Sequence, residues 1–478
     1  MSLNTKILKL FGHRINMDML WIKNTESPNQ NIDLGEDVIN NISEVVGDLY
    51  PMVDINGYVF THNDISYMEL CENGFVPNIK IQVTDESGEF TNKYYPKNKC
   101  LLKLYIKSKN KNIKAIRNDY IIDIKPSQIN SGKSAEGRGH SYFITGSLNI
   151  PRITNKEINS FNSHSYDAMI DVAKLNDLGF ASNEIDTNDK MVWLQSSSTF
   201  IEFIQFMTNH AYKDSESFFI SFIDRYYNLN FINVHNMMSI DPELDIMYLN
   251  LTSNVNTYLK GSDPDIDDPK NANDNQLSNY TGNRGNNTYI TSYTIDSKQG
   301  KILRTNPDKK IIHYYDIIIS NVHRDKFINL DVSSSGILKS DEDINNNISN
   351  IWESIDIGNT HDNFYYAKHF NIQSQLDLKK NRLVVILEGA NLNLLRGMRI
   401  PVVIVKEGEY SKFNEPDFSD DDDSSDDIRV DKDLTGFYII DTIKFIYDPY
   451  ESNLRSPYST EVILQKQFWG KNLEIQNA

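Results

Sequence analysis

Alternating apolar residues recur on both sides of one short helical block, and this pattern constrains the fold more than any other feature of the chain. LLKLYIK (101–107) puts Leu102, Leu104 and Ile106 on every second position, the mark of a half-buried strand. NDYIIDI (118–124) and HSYFITGSLNI (140–150) continue it, so residues 51–150 read as β-rich. TYITSYTI (288–295), YYDIIISNV (314–322), RLVVILEG (382–389), IPVVIVKEG (400–408), GFYIIDTIKFIYDP (436–449) and TEVILQKQF (460–468) make the second half mostly β as well.

From about residue 160 the period becomes helical. Ser163 or Ser165 can cap a first helix that carries Met169, Val172 and Ala173 and stops at Gly179. Thr199 and Glu202 have capping-box spacing, and Phe200, Phe203, Ile204, Met207 and Ala211 then share one face. SFFISFIDRYYNL (217–229) sets Phe219, Phe222, Ile223 and Tyr226 at helical spacing, while LNFINV (229–234) reads as extended. The block from 160 to 236 is therefore expected to be a small mixed α/β unit.

Three segments are too polar to contribute to a core. NSGKSAEGRG (130–139) reads as a hairpin loop and residues 260–290 as a long exposed loop. Between 417 and 433 nine aspartates face only Arg429 and Lys432, so repulsion should keep that stretch extended and solvated. Asp263, Asp265, Asp267, Asn271 and Asp274 fall on positions 1, 3, 5, 9 and 12 of a calcium loop. Position 6 is Asp268 where such a loop needs Gly, and position 12 is too short to bind in bidentate fashion, so a solvated loop is the better reading.

With 478 residues the chain exceeds one ordinary core, and two to four packed units are expected. A net charge of −18 argues against a protein whose task is gripping phosphates, although an acidic conduit lets DNA pass without adhering. Cys71 and Cys100 alone form no disulfide framework or zinc spacing, which fits a reducing compartment. The N-terminal stretch lacks an unbroken apolar run, and no run of about 20 apolar residues occurs, so a soluble protein made in the cytoplasm is expected. His235, His313 and His323 sit singly, and His361 and His369 are eight apart, which suits no metal or catalytic spacing. GxSxG, GxxxxGK[ST] and a strand-bound GxGxxG are missing, so no catalytic, cofactor or metal residue is expected.

One stretch resembles a known family. Residues 163–234 carry Leu178-Gly179-Phe180, then Thr187-Asn188-Asp189 with Trp193, His210 with Tyr212, and Phe222-Ile223-Asp224 followed by Tyr226, Tyr227, Leu229 and Asn230. In that order they resemble the middle portion of baseplate hub proteins of contractile-tailed bacteriophages. GSLNIP (146–151), GANLNLLRGMRIPVVIV (389–405) and the two last strand runs match in style, so the resemblance covers about 50–470. It implies an α+β, mainly β chain with two tail-tube-like antiparallel β-barrel domains and an inserted mixed unit. On that scheme 1–155 is the first barrel, 156–240 the mixed unit, 241–329 a connecting segment and 330–478 the second barrel. It also implies a non-enzymatic virion protein of the tail baseplate, assembled in the host cytoplasm as a homotrimer without cofactors. Its partners would be the tail tube protein, the central spike protein and other baseplate proteins, with DNA passing through the lumen unbound and no membrane contact. A cell-wall hydrolase and a calcium-dependent receptor-binding module are the alternatives.

Overall fold

The computed structural model describes residues 22–25, 51–96, 100–106, 116–126, 140–239, 246–249, 283–284, 287–297, 309–316, 327–333, 348–355, 360–390, 392, 394–404, 434, 436–450 and 457–466. The first half contains β1 (Ile22–Thr25), β2 (Pro51–Ile55), β3 (Tyr58–Phe60), β4 (Ile65–Glu72), β5 (Asn78–Asp85), β6 (Cys100–Ile106), β7 (Ile116–Pro126) and β8 (His140–Leu148). Alternation does what the sequence demands. In β5, Ile79, Ile81 and Val83 are buried while Lys80 and Gln82 face out, and in β6 Leu102 and Leu104 are buried while Leu101 is exposed.

The middle block runs β9 (Lys156–Ser163), α1 (Ser165–Leu175), β10 (Gly179–Ser182), β11 (Met191–Thr199), α2 (Phe200–His210), β12 (Phe219–Ile223), β13 (Asn228–Asn233) and α3 (Val234–Ser239). Helix α2 starts with the expected capping box: Glu202 N donates to Thr199 Oγ1 at 3.2 Å and Thr199 N to Glu202 Oε2 at 2.8 Å. Helix α1 is not capped by a serine hydroxyl; His164 is its N-cap, and Ser165 instead donates to Asp189. Its stop also differs from expectation, since Asp177 takes the left-handed position at φ 54° and Gly179 already begins β10.

The run 217–229 is a hairpin and not a helix. The Asp224 carboxylate accepts from the backbone N–H groups of Tyr226 (2.8 Å) and Asn228 (2.9 Å), and Tyr227 turns the chain at φ 59°. That side-chain-to-backbone turn outcompetes a helix whose apolar residues suit either period. Strand β13 is buried at all six residues and lies parallel to β10 and antiparallel to β12, with β1 completing a four-stranded sheet.

The second half contributes β14 (Ile246–Leu249), β15 (Asn283–Arg284), β16 (Asn287–Ser297), β17 (Lys309–Asp316), β18 (Phe327–Ser333), β19 (Ile348–Ile355), α4 (Phe364–Leu378), β20 (Asn381–Glu388), β21 (Arg399–Val403), β22 (Gly436–Tyr447) and β23 (Tyr458–Gln465). The chain is mainly β with few helices among the described residues, as expected, and its two halves are continuous with each other. Strands of both join in one 14-stranded sheet, because β22 pairs β4 antiparallel with Phe445 opposite Leu70. As a whole this sheet is not a closed barrel: from β22 it runs β4-β5-β8-β7-β6-β2-β3 and ends at β3. On the other side β22, β23, β20, β16, β14 and β21 pair in sequence, and β21 pairs β22 again, so these six strands form a circuit.

Helix α4 joins the middle block to the second half. Asn371, fully buried, donates to the carbonyls of Asn209 and Ala211 at 2.9 Å each and accepts from Phe219 N at 2.9 Å. One side chain thus satisfies the last carbonyls of α2 and a strand donor of β12. Among the described residues no helix is long and apolar enough to cross a membrane.

Candidate functional site

The β12–β13 turn presents Arg225 where the middle block meets both halves. Arg225 is fully buried, and so nearly is its partner Glu72 at the end of β4. The guanidinium donates to Glu72 Oε1 at 3.0 Å and, across the junction, to the carbonyls of Leu392 (2.6 Å) and Leu394 (2.7 Å) between β20 and β21. Its own backbone N–H donates to the same Glu72 oxygen at 3.1 Å. Aromatic rings of Tyr226 and Phe445 lie 4.8 and 4.9 Å from its central carbon. One cation therefore ties β4, the β12–β13 turn, the β20–β21 loop and β22 together.

Burial alone would lower the guanidinium pKa; the Glu72 charge and the Tyr226 oxygen raise it, and the balance is upward, so the group stays charged. A charge held inside this way makes the junction sensitive to loss of either partner. Neighbouring bonds lock the turn: Ile223 N donates to Phe75 O at 2.8 Å, Asp119 N to Tyr227 Oη at 2.9 Å and Gly179 N to Tyr227 O at 2.9 Å.

A second polar centre lies at Asp189, which is fully buried and accepts from Ser165 N (2.8 Å), Thr187 Oγ1 (2.8 Å), Tyr212 N (2.9 Å) and the Ser165 hydroxyl. It ties the start of α1 to the chain leaving α2. Six residues that carry the sequence resemblance meet in these two centres: Thr187, Asp189 and Tyr212 in one, Asp224, Tyr226 and Tyr227 in the other. Asn230 Nδ2 donates to Asp224 Oδ2 at 3.2 Å, and Trp193 is buried with its indole N–H on Ser163 O at 3.1 Å. Every one of these contacts orients backbone or joins elements. Arg225, which sequence reading passed over, is the central residue; its signal was a lone cation inside a Phe/Ile/Tyr-rich run.

His210 and His361 are brought together although 151 residues apart. His361 Nε2 lies 3.0 Å from His210 O, and the His210 ring stacks on Phe364 with centroids 4.0 Å apart. Burial pushes His210 down to about 4, with Lys368, His361 and His369 adding to the effect, and burial also lowers His361. Both groups are neutral when folded, so below their ordinary pKa of about 6.5 the unfolded chain binds more protons. Stability is expected to fall as pH drops from about 6.5 towards 4, with a slope of up to about 1.4 kcal/mol per pH unit from His210, and His361 acts in the same direction. Urea midpoints at pH 7.5 and pH 5 measure it, and a midpoint unchanged between them would refute it; His210→Gln should flatten the slope.

Among the described residues no group of three or more His, Cys, Asp or Glu side chains is placed to hold a metal ion. The Asp263–Asp274 run, the acidic stretch 417–433, the loop 130–139 and His323 lie outside the described residues.

No protein-family model matches the chain, and no curated protein matches it. Solved structures similar to it are tail proteins and a PdpA-VgrG complex. The 43 kDa tail protein of prophage MuSo2 from Shewanella oneidensis is 10% identical, with a TM-score of 0.48 over 88% of this chain and 97% of its own. A tail protein from Neisseria meningitidis MC58 is 9% identical, with a TM-score of 0.45 over 88% and 98%. The half-lidded Francisella PdpA-VgrG complex is 11% identical, with a TM-score of 0.40 over 92% of this chain and 62% of that one.

Proposed function

We propose that this chain is a non-enzymatic structural subunit of a contractile phage tail, a baseplate hub that works as a homotrimer between the hexameric tail tube and the trimeric central spike. The observation that carries the reading is where the hub-like motif residues go. Asp189 and Asp224 fix turns inside the mixed block, and Tyr226 and Tyr227 tie it to Leu392 and Asp119 of the two β halves, which is the work of a scaffold.

The six-strand circuit of β14, β16 and β20–β23 supports a tube-like barrel in the second half. Strands β2–β8 would be its counterpart in the first half, their inward residues Val53, Phe60, Ile81 and Leu104 joining the same apolar core. Two such units per chain let three chains offer six similar lobes above and three below, so one trimer meets two symmetries. The net charge of −18 suits a lumen through which DNA slides without adhering.

Negative-stain class averages of the purified chain at high concentration test the proposal. Three-subunit rings with six lobes around an open lumen are expected; compact particles without a lumen, persisting after the spike protein is added, would overturn it.

A further inference from the structure

Where the middle block meets the strand circuit, α2, β12, α4, β22 and β23 leave a cleft of about 240 Å³. It is smaller than the pockets that take drug-sized ligands, roughly 300–1,000 Å³, but roomy for one side chain or a small organic ion. Lys379 stands exposed beside it, and Arg396 and Asp441 line its wall. Asp441 is already answered by Arg382 at 3.2 Å and by Arg396 at 3.8 Å. The lining thus carries two cations, Lys379 and Arg396, against one carboxylate whose nearer partner, Arg382, lies outside it, in a chain whose overall charge is −18.

Arg396 is held in place: it donates to Gly74 O at 2.5 Å and lies over the Phe222 ring at 4.7 Å. Gln465, only 3% exposed, lines the same cleft, and its Nε2 finds no acceptor within the protein. A buried donor left so is destabilising, and an acceptor entering the cleft would remove that cost. Cations and an amide N–H aimed at one small space call for an acceptor-only, negatively charged group.

We propose that this cleft binds a carboxylate the size of an aspartate or glutamate side chain, with Gln465 as hydrogen-bond donor and Lys379 and Arg396 as the countercharge. The site does not rest on the hub reading, whose failure would show in particle shape and not in ligand binding.

The probe is N-acetylaspartate amide, titrated into the full-length chain at low salt and followed by thermal melting. A saturable rise in Tm is expected, no rise with N-acetylasparagine amide, and about tenfold weaker apparent binding in Lys379→Met, an exposed position that leaves the core intact. Gln465→Met, of similar length without the donor, should weaken it as well. Equal shifts with both probes, no saturable shift, or unchanged binding in Lys379→Met would each overturn the proposal. Sedimentation velocity separates the two sources of the carboxylate. If a second copy of the chain supplies it, the probe and Lys379→Met both reduce self-association; if a free small acid is the ligand, binding leaves association unchanged.

Discussion

Arg225→Met is expected to lower the unfolding free energy by about 3–5 kcal/mol, the range for removing one partner of a buried ion pair. Glu72 would be left nearly unexposed without its countercharge, the Leu394 carbonyl would lose its donor, and the Leu392 carbonyl would keep only the Tyr226 hydroxyl at 3.4 Å. The pair itself is not an optimal one, since Glu72 Oε2 and Arg225 Nε have no hydrogen-bond partner. Replacing both residues by apolar ones should therefore cost much less than the sum of the single changes. Urea denaturation of Arg225→Met, Glu72→Met and the double variant tests this. A single-variant loss below about 1 kcal/mol would mean that the junction is an incidental contact.

Gly397→Ala is expected to cost about 2–5 kcal/mol, from two sources that add. Gly397 has φ 83°, where an L side chain costs about 1–2 kcal/mol. A Cβ there would also lie 2.6 Å from Ile232 Cδ1 and 3.4 Å from Phe222, so the buried Ile232 side chain would have to repack, adding up to about 1–3 kcal/mol. Gly57 provides the control, with a similar φ of 87° and nothing within 4 Å of the added carbon. Gly57→Ala should show the backbone cost alone. Equal losses at the two positions would remove the packing part of the argument.

Legibility in the sequence followed how local the determining interaction is. Strands β6, β7 and β20 were visible because their apolar residues alternate between a buried and a more exposed face. The capping box of α2 was visible because Thr199 and Glu202 act within one turn. The 217–229 hairpin was misread because Phe219, Phe222 and Ile223 fit both periods, and the deciding group is a polar one, Asp224. Helix α4 was not seen at all: its buried side holds His369, Asn371, Gln373, Ser374 and Asp377, so hydrophobic periodicity could not reveal it. The candidate site was half legible. Its motif residues were singled out as a pattern, but Arg225 acquires its role from Glu72, 153 residues away, and no local rule connects them.

The pairing of β4 with β22 also sets an order on how the molecule is made. Synthesis at about 5–20 residues per second separates Glu72 from Gly436 by roughly 20–70 s, and for that time the edge of β4 has no neighbour on the ribosome. Paired with β5 on one side only, β4 with its Met68 and Leu70 offers an open edge to any other nascent chain. Translation speed and chaperone occupancy during that interval, more than the stability of the finished protein, would then govern how much of it survives to assemble.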